Sequence, residues 1–316
     1  MAGVAILYSF RTGLKATVVT EVIKILIVWT GVIILVPWAI SAAGGWSVVV
    51  AGLGGRTGLG GSIFGTPFAW GIFTGFGAAA FLGHLGGPWG DNSFYQRAFA
   101  IRKQSVFKSF IIAAFIFGII PIMMGLLGYV AAGTGMEIPS NMVGTTNAIV
   151  IANFLPAWAS IFFVFLVFAG LVAILDSQFS SVANMTGHDI YNKYKTKVDD
   201  KTVIKYARIG MVILAIAGFL ITQIPGITLL YIFLFFATLR AAVWLPSLIA
   251  IVKPKLLTEQ GMFYGISTAV VIGVPMFVYG KLYKSLPYTL SGTVIAIFGS
   301  AVLVLAISKW KQNQNS

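Results

Sequence analysis

Between Pro156 and Leu175 the chain reads PAWASIFFVFLVFAGLVAIL, twenty residues without a charge. A helix that crosses the hydrocarbon of a bilayer needs roughly 20 such residues. Inside lipid only a helix or a closed barrel satisfies its own backbone amides. Further apolar stretches fall at 18–41, 67–85, 106–131, 204–223, 226–252, 260–280 and 287–308, and the run just quoted extends to 186. Together they predict an all-α integral membrane protein of about eight transmembrane helices, with no soluble domain of any size. Composition agrees. Only 9% of the 316 residues are charged, whereas soluble domains carry about a quarter.

The few charges are distributed unevenly. If the spans alternate in direction, sixteen basic residues share one side: Arg11, Lys15, Arg97, Arg102, Lys103, Lys108, Lys193, Lys195, Lys197, Lys201, Lys205, Arg208, Lys253, Lys255, Lys309 and Lys311. Three, Arg56, Lys281 and Lys284, lie on the other, and Lys24 and Arg240 fall inside spans. The positive-inside rule then places both termini in the cytoplasm, as an even number of spans also requires. The expected location is the plasma membrane, crossed several times. The net charge of +13 is accounted for by this topology, so membrane lipid is the expected partner and nucleic acid is not. No secretory signal is expected, since Met1 opens onto AGVAILYSF without a basic start or a cleavage site.

Other chemistries are disfavoured by what the chain lacks. It has no cysteine and two histidines, which removes thiolate chemistry and leaves no zinc-enzyme spacing. The glycine-rich connection 42–66 (AGLGGRTGLGGSIFG) lacks the Gly-Lys-Ser/Thr ending of a phosphate loop and reads as a flexible external loop. No nucleophile–base–orienter set stands out, so an enzyme is not expected. No charged ring or filter sequence points to a channel.

Ionisable groups inside spans are costly and mark function by default. Glu21 and Lys24 stand three apart at the cytoplasmic end of the first span, as a helix-surface ion pair or as part of a site. The fourth span ends AILDSQFSSVAN. There Ala173, Ser177, Ser180 and Asn184 form one helical stripe flanked by Asp176 and Ser181. A carboxylate beside hydroxyls suits a hard cation or a proton relay. Asp176 lies about 20 residues into its span, near 30 Å at 1.5 Å per residue, which matches the depth of Glu21. The second span runs into FLGHLGGPWGDNSFYQR. Its glycines and Pro88 predict a broken helix near 83–91, with Asp91 or Asn92 capping the resumed one. Broken helices at membrane depth line cavities and form solute and ion sites. Trp89, Phe94 and Tyr95 would add aromatic surface for a small solute. Arg240, mid-span in FFATLRAAVWLP, requires an acidic or carbonyl partner.

Three segments resemble the solute:sodium symporter family of sodium-coupled sugar, proline, sialic-acid and urea carriers. GLKATVVTEVIK at 13–24 is similar to the family's Gly-Leu-x-Ala-Val run ending in Thr-Asp and Gln, with Glu21 at the Asp position and Lys24 at the Gln position. SFYQRAFAIRK at 93–103 resembles the Gln-Arg-x-x-Ala stretch after the family's broken helix. LDSQFSSVANMTGHDIYNKY at 175–194 resembles the helix that ends in Asp-Ile-Tyr. The resemblance implies a leucine-transporter-type fold of two inverted five-helix repeats. Residues 1–41 would close the first repeat and 42–252 would form the second. Residues 253–316 would supply two peripheral helices and a short cytoplasmic tail.

The resemblance also implies two departures. The first four core helices of the family would be absent, suggesting a truncated chain or a second polypeptide that carries them. Counted back from Asp189, the family's sodium-ligating hydroxyl pair would fall on Ala173 and Ile174, which offer no side-chain oxygen. The expectation is a secondary transporter, with no cofactor, that moves a small organic solute by alternating access. Glu21, Asp176, Ser177 and Ser180 would hold the coupling cation, with sodium at Asp176 and Ser177 or a proton as the alternative. Asp91, Asn92, Tyr95 and Trp89 would meet the solute. A non-transporting sensing or assembly module, or half of a split transporter, stands beside this reading.

Overall fold

The structure is a computed structural model that describes residues 2–54, 70, 73, 77, 79–191, 199–224, 229–283 and 285–315. Every regular element among them is helical. Seven helices are long and apolar enough to cross a membrane: 20–42, 103–133, 157–190, 200–222, 231–252, 259–282 and 286–314. The eighth expected span, 67–85, falls partly outside the described residues, which run continuously again from a helix at Ala79–Leu85. The chain is a multi-pass membrane protein. Its outward faces carry large apolar side chains, with Phe107, Phe115 and Phe117 more than two-thirds exposed. In a soluble protein such surface would aggregate; in a bilayer it meets acyl chains.

The chain forms two compact units that do not follow sequence order: Met1–Gly61 with Gln96–Ile224, and Ser62–Tyr95 with Pro225–Ser316. The first unit is built on α1 (Ala2–Ala42), α2 (Trp46–Gly52), and, after two elements of the second unit, a set of longer helices. Those intervening elements are α3 (Ala79–Leu85) and α4 (Gly87–Gly90), followed by α5 (Asn92–Ala100), whose last residues belong to the first unit. The longer helices are α6 (Val106–Gly133), α7 (Thr146–Phe154), α8 (Ala157–Asn184) and α9 (Asp200–Thr222). At its C-terminal end α8 widens into a π-helical turn at Met185–Ile190.

The core of this unit joins Val32, Leu35, Val36 and Ala39 of α1 to Val49 of α2, Leu127 and Val130 of α6, Ile151 of α7, and Phe163 and Leu166 of α8. The connection read as a flexible loop thus begins with a helix. Its sequence, WSVVVAG, packs because glycines let backbones touch. A Cβ on Gly52 would lie 1.9 Å from the Tyr129 carbonyl, and one on Gly133 1.9 Å from that of Val48. Seven residues are too few to announce a helix by periodicity alone.

The second unit contains α3, α4 and the start of α5, then α10 (Leu229–Ala241) and α11 (Trp244–Val252). It ends with α12 (Glu259–Leu282), α13 (Leu286–Val294) and α14 (Ser300–Asn315), the last two joined through a π-helical turn. The crossing segment 231–252, within the expected span 226–252, bends at a turn at 242–243 between its two helices. Pro246 sits in the first turn of α11, where a missing amide hydrogen costs nothing. Along α12 the residues Gly261, Gly265, Ala269, Gly273 and Phe277 recur every fourth position and are all buried. The first four are small, which lets α13 and α14 approach closely, the usual basis of helix association in lipid.

Candidate functional site

The first unit gathers charge where α1 and α8 pack side by side. Asp176 follows a long, mostly apolar stretch of α8 from Ala157 to Leu175 and has no exposed surface. Lys24 of α1 reaches across to it, and the ammonium donates to Asp176 Oδ2. The partners are 152 residues apart in sequence. On the next residue of α8, Ser177 Oγ donates to Glu21 Oε1 and also lies 3.1 Å from the Ala173 carbonyl of its own helix. The competing acceptors fix this hydroxyl between the two helices.

A third element joins them. Arg97, on α5, places Nη2 3.2 Å from Glu21 Oε1, 3.4 Å from Glu21 Oε2 and 2.7 Å from Ser177 Oγ. Beside it, Gln96 Nε2 donates to the Ser180 carbonyl at 3.3 Å. Two carboxylates therefore stand beside two cationic side chains, and the cluster is formally neutral. Glu21 and Lys24, read as neighbours on one helix surface, each find a partner on another element. The two rungs differ in access: Lys24 and Asp176 are 17% and 0% exposed, whereas Arg97 and Glu21 are 44% and 16% exposed.

The solute residues expected from sequence lie in the second unit, around a helix interruption. Helix α3 ends at Leu85, α4 spans one turn, and Asp91 is extended (φ −124°, ψ 110°) before the chain coils again from Asn92. Asp91 Oδ1 accepts from the Ser93 amide at 3.0 Å, covering one of the amides a helix start leaves open. Its Oδ2 lies 3.5 Å from Arg240 Nη2. The acidic partner that Arg240 requires is thus the residue that opens α5. Asp91 is itself nearly enclosed, at 7% exposure.

Close packing fixes this arrangement. A Cβ on Gly83 would lie 2.5 Å from Ala237 Cβ, and one on Gly86 2.4 Å from Ala241 Cα. Only glycine lets α3 and α10 approach this far. Tyr95 turns its hydroxyl back to the Trp89 carbonyl at 3.2 Å, which brings two of the expected solute residues together. Asn92 and Trp89 are half-buried beside them.

Residues that sequence reasoning passed over are Lys24 as the partner of Asp176, and Arg97 and Gln96 as the links to Glu21, Ser177 and Ser180. The Gln-Arg pair in SFYQRAFAIRK was the available signal, but its charge was assigned to topology. Among the described residues no group of three or more histidine, cysteine, aspartate or glutamate side chains forms a metal cluster.

The family model of the sodium:solute symporter family covers residues 1–269. No curated protein matches the chain.

Proposed function

Because the chain belongs to the sodium:solute symporter family, whose members couple solute transport to sodium, we propose that it carries a small organic solute with a cation through the plasma membrane by alternating access. Both termini lie in the cytoplasm in this reading, supported by the sixteen-to-three division of basic residues. The cation is handled by Glu21, Asp176, Ser177 and Ser180. The observation that carries the assignment is Asp176: a fully enclosed carboxylate on α8, one residue from a hydroxyl bonded to a second carboxylate on α1. Enclosed acids of this kind in membrane helices mark ion pathways.

The solute is met by the interrupted helix at Trp89–Tyr95. Asn92 opens α5 beside the break, and Trp89 and Tyr95 offer aromatic faces. Asp91 fixes the break by holding Ser93 and Arg240. Cation occupancy at Asp176 favours one of two arrangements of the helices, and the solute binds the favoured one more tightly.

The test is uptake of a labelled panel of sugars, amino acids, carboxylates and urea into cells expressing the chain, in sodium against choline. Asp176→Asn should remove the sodium stimulation of whichever solute is taken up. Sodium stimulation that survives this change at full size would exclude the assignment. Proton coupling is the second reading, and one observation favours it. Ala173 and Ile174 stand where the family's hydroxyl ligands are expected, leaving fewer oxygens for sodium than a hard cation takes. An inward proton gradient that drives uptake in choline as well as in sodium would select it.

A further inference from the structure

Nothing in the transport reading gives Lys24 a task, yet it holds the central acid of the cation site. Asp176 has no exposed surface and accepts a hydrogen bond from the Lys24 ammonium. Burying a negative charge this fully is costly unless a cation stands against it. In this conformation the positive charge that a carried ion would bring is supplied by the chain itself. A second cation on the same carboxylate would stand a few ångströms from the first, in a medium where like charges repel strongly. Lys24 and a carried ion are therefore alternatives at Asp176.

The geometry of Lys24 suits exchange. Its ammonium rides on a flexible four-carbon stem with three donors. Of the Lys24 side chain 17% remains exposed while Asp176 shows none. Lys24 is thus the more exposed partner of the pair, and its long stem lets the ammonium change position by side-chain rotation alone. The second rung is distinct: Arg97 lies on Glu21 and Ser177 and compensates the other carboxylate. When Lys24 swings out, Asp176 loses the ion pair it makes with α1, and Ser177 stands next to it in sequence with an oxygen.

We propose that Lys24 is a tethered cation that competes with the carried ion for Asp176, and that this competition sets the affinity and selectivity of the ion site. The proposal rests on the reading of Asp176 as a cation ligand. Apparent affinity for a free ion scales with the fraction of time the site is vacated. A chain in which Lys24 holds Asp176 most of the time binds sodium weakly, and one without the ammonium binds it more tightly.

The experiment uses the full chain, purified in detergent with choline as the only small cation, and follows equilibrium binding of radiolabelled sodium. No solute is needed. Lys24→Gln and Lys24→Met should lower the half-saturating sodium concentration by about tenfold or more, as expected for a site freed from an internal competitor. Lys24→Arg, which keeps the charge, should bind sodium no better than the unaltered chain. Asp176→Asn combined with Lys24→Gln should lose the tight binding.

The proposal is overturned if both neutral variants bind sodium as the unaltered chain does, or less well. Two failures are separable. If Lys24→Gln leaves affinity unchanged while Asp176→Asn abolishes binding, Lys24 is not a competitor but the cation site stands. If sodium binding survives Asp176→Asn intact, the site lies elsewhere and both readings fall. Neutral variants that can be purified in sodium but not in choline support the competition, because sodium then replaces the missing charge. Neutral variants recoverable in neither salt reject it, since Lys24 would then be a brace that sodium cannot replace.

Discussion

Asp176 and Asp91 are both enclosed carboxylates met by a basic side chain, and they are held in different ways. Asp176 lies within a continuous helix, and its counter-charge comes from a residue 152 positions away on a flexible stem. Asp91 lies at a helix interruption. Its neighbour's amide takes one oxygen, and Arg240, at the end of α10, faces the other at 3.5 Å. The planar guanidinium is permanently charged and sits in the last turn of its helix, where a cation is favoured by the backbone dipole. One acid is fixed by local backbone geometry, the other by a side chain able to leave. That difference separates a carboxylate that keeps a helix break in shape from one able to exchange its cation.

The largest effect that tests this contrast comes from changing each acid to its amide. Asp176→Asn strands the Lys24 ammonium against a neutral group in an enclosed place. Breaking a buried pair by removing one partner costs about 3–5 kcal/mol. Thermal unfolding in detergent should show that loss, and Lys24→Met added to Asp176→Asn should recover much of it. Asp91→Asn keeps an oxygen for the Ser93 amide, and Arg240 retains 37% exposure to dissipate its charge. Its cost should be nearer about 1 kcal/mol, the scale of one ordinary hydrogen bond. Equal losses at the two positions would end the distinction between them.

The next effect concerns the packing that holds Asp91 opposite Arg240. Gly86→Val would place a Cβ 2.4 Å from Ala241 Cα, with two more carbons beyond it. Backbone cannot give as a side chain does, so α3 and α10 must part. Overpacking of this kind costs about 1–3 kcal/mol. Gly87→Ala is the control, because a Cβ there meets nothing within 4 Å. If Gly86→Val unfolds at the same temperature as Gly87→Ala, close approach is not what keeps Asp91 and Arg240 together.

The individual polar residues of both sites were legible in the sequence; their pairings were not. Glu21, Asp176, Ser177, Asp91 and Arg240 each stand out because a charged or hydroxyl group in an apolar run is expensive wherever it lies. Helical periodicity reports which residues share a face of one helix, as with Ala173, Ser177 and Ser180. It does not report which helix lies opposite, and so Lys24 was set beside Glu21 rather than against Asp176. The same limit hid the turn between α10 and α11. The run from 226 to 252, apolar but for Arg240, reads as one span, and the turn at 242–243 within it emerges from packing. Membership of the sodium:solute symporter family was legible because its signals are local and ordered along the chain: Thr-Glu near 20, Gln-Arg at 96–97 and Asp-Ile-Tyr at 189–191.

The smallest effect belongs to Arg97, and it sharpens the contrast within the cation cluster itself. The guanidinium is 44% exposed and meets Glu21 at 3.2 Å. Water already screens much of its charge, and pairs of this exposure contribute about 0–1 kcal/mol. Arg97→Gln should therefore lower unfolding temperature only slightly, and the deficit should shrink further as ionic strength rises, because exposed pairs are screened by salt. Asp176→Asn should behave differently. Its partner Lys24 is 17% exposed against 44% for Arg97, so its deficit should persist more fully across the same range of choline chloride. A salt-insensitive loss in Arg97→Gln would mean that Glu21 is as enclosed in function as Asp176. The cluster would then hold two sites of one kind rather than a core and a rim.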